Sequence, residues 1–311
     1  MKTNSISSKL LFALLFSTSG LIAQNNQNSI LVSSPKFAQP LIEKWISEYS
    51  KVKPEANIKF VQKDTKSSAP QLNLVIASTP YQLSDNNHKF IITGRYALVP
   101  VSNSGNPLLA EIGRKGLDKK DLDKLFFESL DEDPEELEDG DKKLSATVYS
   151  AENSNRQSAT LAKHFGHLSS ELKGKKVLGD EIFLLSALKK DPTGISYNNL
   201  NYLFDTNSRK IKPEITLIPL ELKKDAKPLL SGNIDDALDV LEENQIETIP
   251  VGKIGFVYTQ QDAGKEITDF LRWVLADGQK YNHDLGFLKL DNQDLLTAQR
   301  SIQEEKLLSL K

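Results

Sequence analysis

Segments with strand-like and helix-like patterns of apolar and polar positions follow one another along this chain. Short apolar runs, "ILVSS" at 30–34, "NIKFVQ" at 57–62 and "LNLVIAS" at 72–78, are typical of strands. Between the first two, "PLIEKWISEYSK" at 40–51 repeats apolar residues at helical spacing, and Pro40 suits the first position of a helix. A strand, a helix and further strands in this order predict a parallel α/β architecture.

The later segments continue this alternation. A strand at 94–103 runs into the turn residues "SGNP", and a helix begins at Asp118. Trp45 and Trp273 lie on apolar helical stripes, so we expect both to be packing residues. The remaining predicted elements are a helix over 181–190, a strand near Gly194–Tyr197, a strand at 214–222, a helix at 233–244, a strand at 253–260, and a long helix within 263–290 followed by a turn and a short strand.

An acidic stretch, "ESLDEDPEELEDGD" at 128–141, interrupts the pattern. Carboxylates at this density could bind calcium, but the stretch lacks the regular ligand spacing and the turn glycine of a calcium loop. We interpret it as a solvated surface insertion.

The N-terminal residues have the layout of a secretory signal peptide. Lys2 and Lys9 precede an apolar run at 10–16, and small residues lead up to Ala23. The apolar run is far shorter than the roughly 20 residues of a membrane span. We therefore predict a cleaved signal peptide over 1–23 and a soluble periplasmic or secreted protein; the alternative is an uncleaved anchor helix.

Composition narrows the classes of function. The chain has 311 residues, 26% of them charged, and a formal charge of −3, which does not favour nucleic-acid binding. It has no cysteine, so disulfides, thiolate catalysis and a lipid-anchor cysteine are excluded. His164 and His167 share a helical spacing but have no evident third metal ligand, and we interpret both as solvated. We find no arrangement of nucleophile and base and no phosphate loop, so we predict neither enzymatic activity nor a cofactor.

Candidate binding chemistry centres on "TVYSAENSNRQSATLAKHFG" at 147–166. A strand leads through a small polar loop into a helix, which is a layout suited to binding an anion at a helix start. The loop holds no glycine, and Asn155, Arg156 and Gln157 stand at its centre.

Four segments, in order, resemble one known family. "FLRWVLADGQKYNHDLGFLKL" at 270–290 is similar to the closing helix and strand of phosphate-type ABC-transporter substrate-binding proteins. The segment at 30–49 is similar to their first strand, ligand loop and first helix. "ALVPVSNSGNPL" at 97–108 resembles their crossover strand, and "KKDPTGISYNNLNYL" at 189–203 resembles a later strand. Together the matches span nearly all of the chain after the N-terminal segment.

The resemblance implies the α/β periplasmic-binding-protein type II fold, with a ligand cleft between two lobes that close by a hinge motion. Lobe 1 would comprise 24–98 plus 216–311, and lobe 2 would comprise 99–215. The implied partners are inorganic phosphate or a related oxyanion and the ABC permease subunits that receive it. The protein would be monomeric and at most peripheral to the membrane.

The family binds its oxyanion with backbone N–H groups, hydroxyl groups and an arginine from four loops. Helix-capping serine and asparagine residues give the same pattern without any ligand. Both interpretations, a ligand site and ordinary helix caps, therefore stay open. Arg95 is a further candidate, at the start of the crossover strand. The candidate ligand-binding residues implied by the resemblance are Ser34, Lys36 and Phe37 in the first loop, Ser68 in the second, Ser78 in the third, and Ser154, Asn155 and Arg156 in the fourth, with Ser33, Ser67 and Thr79 beside them.

Two departures from the family pattern suggest an alternative function. The family's fourth loop carries an arginine and Gly-Ser-Gly-Thr, whereas this chain has 153–156 "NSNR" in that register. Its third loop often carries an aspartate, and Ser78 falls near that position. A non-transport paralogue with a degenerate anion site, acting as an extracytoplasmic binding or regulatory module, is therefore the alternative.

Overall fold

The computed structural model describes residues 29–62, 71–77, 87–113, 115–128, 146–152 and 155–308. The predictions that lie outside these ranges concern the signal peptide, the acidic stretch beyond Glu128, and Ser67, Ser68, Ser78, Thr79 and Ser154.

Strands and helices alternate along most of the described chain. The strands are β1 Ile30–Ser33, β2 Ile58–Phe60, β3 Gln71–Ala77, β4 His88–Asn103, β5 Thr147–Ala151, β6 Lys175–Val177, β7 Gly194–Asn199, β8 Ile215–Leu217 and β9 Val251–Thr259. The helices are α1 Gln39–Val52, α2 Leu108–Ile112, α3 Lys119–Phe126, α4 Arg156–Phe165, α5 Glu181–Lys190, α6 Leu200–Leu203, α7 Ile234–Glu243, α8 Lys265–Leu275, α9 Lys280–Asp284 and α10 Asn292–Leu308.

The strands build a mixed sheet in the order β2-β1-β3-β9-β4-β7-β5-β6, with β8 also paired to β4. β1 pairs in parallel with β2 and β3, and β5 pairs in parallel with β6 and β7. The strands β4 and β9 run antiparallel to their neighbours. The predicted parallel architecture is therefore correct within each group of strands but not where β4 and β9 join them.

The long strand β4 divides the molecule into two lobes. Its first part, His88–Ala97, pairs with β9, and its second part, Leu98–Asn103, pairs with β7 and β8. A strand shared in this way links the sheet of one lobe to the sheet of the other. The exact division at 98/99 and 215/216 stays a prediction.

Buried aromatic side chains hold α1 and α8 against the first lobe's sheet. Trp45 is fully buried and Trp273 is 8% exposed, which confirms both as packing residues. The Trp45 indole Nε1 donates to the backbone oxygen of Gly278 at 3.0 Å, so its polar atom is also satisfied. Tyr49 packs its ring between Phe270 and Trp273, with centroid distances of 5.2 and 5.4 Å.

The "GQK" turn at 278–280, after α8, is hydrogen-bonded to the crossover strand β4. The Gln279 side chain donates from Nε2 to the Thr93 carbonyl at 2.9 Å, where the pairing of β4 with β9 is irregular. Its Oε1 accepts from the backbone N–H of Leu290 at 3.1 Å. One buried amide thus satisfies the Thr93 carbonyl at the irregularity of the sheet and the backbone N–H of Leu290 outside the sheet.

Several elements differ from the sequence-based prediction. The segment expected to link α4 to α5 contains the short strand β6, and α10 follows the last predicted element. Where a short closing strand was predicted, Leu288 forms an isolated antiparallel bridge with Arg95. Three residues of β6 are too short to show a period, and the apolar positions of α10 are sparse.

Candidate functional site

A cleft of about 460 Å³ lies where the carboxyl end of β1 faces the starts of α4 and α5. The first lobe contributes Ser33, Ser34, Pro35, Lys36, Phe37, Asn73, Leu74 and Val75. The second lobe contributes Asn155, Arg156, Gln157, Gly179, Asp180, Glu181 and Phe183. The structure therefore brings together the predicted site residues that it describes, from the first loop and the fourth.

The first loop presents backbone N–H groups to this cleft. A 3₁₀ turn at Lys36–Ala38 leads directly into α1, and Pro35 before it has no N–H. Within the described ranges, the backbone N–H groups of Lys36 and Phe37 have no acceptor. The exposed Lys36 side chain adds a positive charge beside them. This end of the cleft can therefore donate hydrogen bonds to an anionic group.

The first-loop side chains have structural roles of their own. The Ser33 hydroxyl donates to Asn73 Oδ1 at 2.6 Å, and the Ser34 hydroxyl donates to the Pro35 carbonyl at 3.0 Å. The ring of Phe37 is 1% exposed and packs against Tyr96 and Phe287. Its ring is a core group, which leaves the backbone N–H as the part of Phe37 able to contact a ligand.

At the fourth loop, Asn155 caps α4 with its own side chain. Asn155 Oδ1 accepts from the backbone N–H of Gln157 at 2.7 Å and of Ser158 at 3.4 Å. These N–H groups are the donors that an anion at the helix start would need. Asn155 therefore acts as a helix cap in the structure. The exposed Arg156 is the charged residue of this loop that lines the cleft.

Hydrogen-bonded to Asn155 is a buried carboxylate, Glu181, that is not among the predicted site residues. Glu181 is 6% exposed, and its Oε1 accepts from Asn155 Nδ2 at 2.7 Å. The Gln157 amide, oriented with its nitrogen toward Glu181, donates to Oε2 at 2.9 Å and accepts from Asn199 with its oxygen. Burial raises the pKa of the Glu181 carboxyl above its ordinary value, while the hydrogen bond from Asn155 opposes this. An acidic residue in a helix's first turn is a common sequence feature, so no sequence signal marked this one.

Asp180 precedes Glu181 and lines the same cleft. Its Oδ1 accepts from the backbone N–H of Ile182 at 3.0 Å, which caps α5. Neither Asp180 nor Glu181 forms an ion pair with a residue in the described part of the chain. The cleft thus combines two cationic side chains at its edges with two adjacent carboxylates.

Three other polar residues considered in the sequence, Arg95, His164 and His167, lie outside this cleft. Arg95 donates from Nε to the Lys289 carbonyl at 2.7 Å and is not among the cleft residues. His164 contacts the Glu247 carbonyl at 2.7 Å, and His167 lies between Asp123 and Glu171, at 2.8 Å from each. The prediction that both histidines are simply solvated is therefore wrong, because each is partly buried and hydrogen-bonded.

A second hollow, of about 500 Å³, lies at the opposite end of β1, between the end of α1 and the start of α8. It contains none of the predicted site residues. Across the described ranges, no group of three or more His, Cys, Asp or Glu residues is arranged to hold a metal ion. Among the described helices, none combines the length and the hydropathy that a membrane-spanning helix requires.

No family model matches the chain, and no curated protein matches it in sequence. Solved structures do resemble it. A structure described as a phosphate ABC transporter substrate-binding protein with bound phosphate, from Clostridium perfringens, has a TM-score of 0.57 and 13% identity over 85% of this chain and 100% of its own. An ABC-type phosphate transport receptor from Vibrio cholerae has a TM-score of 0.55 and 10% identity over 84% of this chain and 100% of its own. The similarity shows the fold, which is the two-lobed periplasmic-binding-protein type II fold expected from the sequence.

Proposed function

We propose that this chain is an exported solute-binding protein that captures a small oxyanion, such as phosphate, between its lobes and presents it to an ABC transporter. The observation that supports this most directly is the pair of backbone N–H groups, of Lys36 and Phe37, at the interlobe cleft. The Lys36 charge adds to them at the start of a helix. Binding alone is sufficient for this role, so no catalytic group or cofactor is required.

The fold similarity supports the proposal because one structure of this fold is described as a phosphate ABC transporter substrate-binding protein and another as an ABC-type phosphate transport receptor. Hinged lobes of this kind enclose a ligand on closing. The proposal includes export through the 1–23 signal peptide, action as a monomer and docking on permease subunits. Mass spectrometry of the secreted chain, for its N-terminal residue, and size-exclusion chromatography test the first two.

One observation favours the alternative, a non-transport paralogue with a weakened anion site. Asn155 occupies the N–H groups at the start of α4 that would otherwise be available to an oxyanion. The fourth loop would then retain its shape without contributing donors from the helix start. Calorimetry decides between the two functions.

The test is isothermal titration calorimetry of residues 24–311 with phosphate, sulfate and molybdate. Binding at micromolar or lower dissociation constant is expected for a transport protein. We expect Lys36→Gln to weaken binding about tenfold or more, since a charge-assisted hydrogen bond contributes about 1.5–3 kcal/mol. Lys190→Gln is the matched control, because Lys190 is an exposed lysine outside the cleft.

Absence of heat for every oxyanion, from a protein with a cooperative melting transition, would reject oxyanion transport. An effect of Lys190→Gln equal to that of Lys36→Gln would show that only overall charge matters. Either result would remove the first loop as a specific site for an inorganic oxyanion.

A further inference from the structure

The two ends of the interlobe cleft differ in charge. The first-loop end has the N–H groups of Lys36 and Phe37 and the Lys36 ammonium group. The end formed by the start of α5 has the carboxylates of Asp180 and Glu181, neither paired with a cation among the described residues. A ligand that spans the cleft therefore meets hydrogen-bond donors at the first loop and carboxylate acceptors at the start of α5, where Arg156 of the fourth loop also lines the cleft.

Glu181 places a negative group at the start of α4. Its two carboxylate oxygens take donors from the first residues of that helix region, Asn155 Nδ2 and the Gln157 amide. A bound anion at the same loop would need these donors and would lie close to a like charge in a partly desolvated site. Even with the Arg156 guanidinium at the fourth loop, these carboxylates make this side of the cleft less favourable than the first loop for a multiply charged inorganic oxyanion.

The size and surface of the cleft fit an organic ligand. Its volume of about 460 Å³ falls within the range of about 300–1,000 Å³ of pockets that hold organic molecules. Phe183 on α5 is 48% exposed and lines the cleft together with Leu74 and Val75 of the first lobe. These apolar groups can cover a short hydrocarbon segment between two charged ends.

We propose that the cleft takes a small amphoteric organic molecule, with its anionic group at the first loop and its ammonium group at Glu181 and Asp180. Glu181 is then the residue that determines specificity, because it repels a second anionic group and accepts hydrogen bonds from an ammonium group. This inference rests on the proposed solute-binding function and names the class of solute.

Two matched pairs of probes isolate the ammonium group. Ethyl phosphate is compared with 2-aminoethyl phosphate, propionate is compared with β-alanine, and inorganic phosphate is included as the simple oxyanion. Calorimetry on the wild-type chain is expected to show at least tenfold tighter binding of the amino member in one pair. That member is also expected to bind more tightly than inorganic phosphate.

Glu181→Gln is expected to abolish the preference for the amino member of the pair. The affinity for the member without an amino group is expected to stay the same or to increase. The Gln157 amide can turn to match the new side chain, which favours a folded variant. Asp180→Asn keeps a capping oxygen for α5 and serves as the second variant, with a smaller loss of preference expected. Glu152→Gln is the control, because this exposed carboxylate precedes the loop and does not line the cleft.

The outcomes separate the two proposals. Equal binding within both pairs, or a preference that survives Glu181→Gln, overturns the amphoteric ligand. Inorganic phosphate that binds more tightly than both amino probes also overturns it but keeps oxyanion capture. If no probe binds the folded wild-type chain, both the ligand class and the solute-binding function are rejected.

Discussion

Gly252 on β9 and Tyr96 on β4 meet close to the point where β4 passes from one lobe to the other, and replacing Gly252 with alanine tests how tightly this junction is packed. The two residues are direct cross-strand partners in the pairing of β4 with β9. A Cβ atom on Gly252 would lie 2.4 Å from Cζ and 2.5 Å from Cε1 and Oη of Tyr96, closer than real Cβ contacts come. The Tyr96 ring thus occupies the space that a side chain at 252 would need.

The ring cannot move aside freely. Tyr96 is 1% exposed, its ring packs edge-on to Phe37 at 5.4 Å, and its hydroxyl is 2.8 Å from Thr160 Oγ1 on α4. Overpacking of this kind costs about 1–3 kcal/mol. Loss of the hydroxyl contact would add about 1 kcal/mol. The reduced freedom of the unfolded chain offsets about 0.4–1 kcal/mol, so the net destabilisation of Gly252→Ala is expected to be about 2 kcal/mol.

Urea denaturation followed by circular dichroism measures this free energy. Gly105→Ala is the control, since the nearest atom to a Cβ there is Asn103 Oδ1 at 3.4 Å, and its effect is expected to be within about 0.5 kcal/mol. In a Tyr96→Leu background, Gly252→Ala is expected to cost much less, because the clashing ring is gone. Destabilisation that is the same in both backgrounds would show that the contact with Tyr96 is not its cause.

Two further predictions concern the second lobe. Asn155→Ala is expected to destabilise the protein by about 1 kcal/mol in thermal unfolding, because it removes the cap of α4 and a donor to Glu181; Asn155→Ser, which keeps a capping oxygen, should lose clearly less. Burial lowers the pKa of His167, but the hydrogen bonds with Glu171 and Asp123 outweigh it and raise the pKa above 6.5. The stabilisation is therefore complete below pH 6.5 and is lost as pH rises through the folded-state pKa. His167→Gln should remove this part of the pH dependence of the melting temperature, which amounts to less than about 1 kcal/mol; an unchanged profile would contradict the assignment.

Local signals in the sequence predicted most elements because those signals have local physical causes. Asp118 was predicted to begin a helix, and it forms a capping box with Asp121 at the start of α3. The helix over 181–190 was predicted at its observed bounds, since Asp180 caps it and Lys189 and Lys190 end it. The hydrophobic period and the capping residues predict the same helices in these segments. Tertiary contacts therefore did not change the predicted elements.

The site was harder to predict because its side chains are directed by partners distant in sequence. Phe37 was expected to contact a ligand, yet its ring fills a space formed by Tyr96 and Phe287. Glu181 was not expected at the site, and it is placed there by Asn155, which lies 26 residues earlier in the chain. The hydrophobic period of one segment cannot show which distant residues that segment contacts, because the topology of the sheet creates those contacts.

The glycine-free loop before α4 and the buried carboxylate on α5 have one physical explanation. A glycine loop leaves helix-start N–H groups open to a ligand, whereas Asn155 fills them with its own oxygen and turns its amide nitrogen toward Glu181. Its two hydrogen-bonding functions are then both satisfied, and the carboxylate that completes the arrangement contributes the negative charge that a bound anion would otherwise bring. On this reasoning the asparagine and the glutamate act as a pair, and their substitutions should be non-additive both in stability and in the selection of ligand charge.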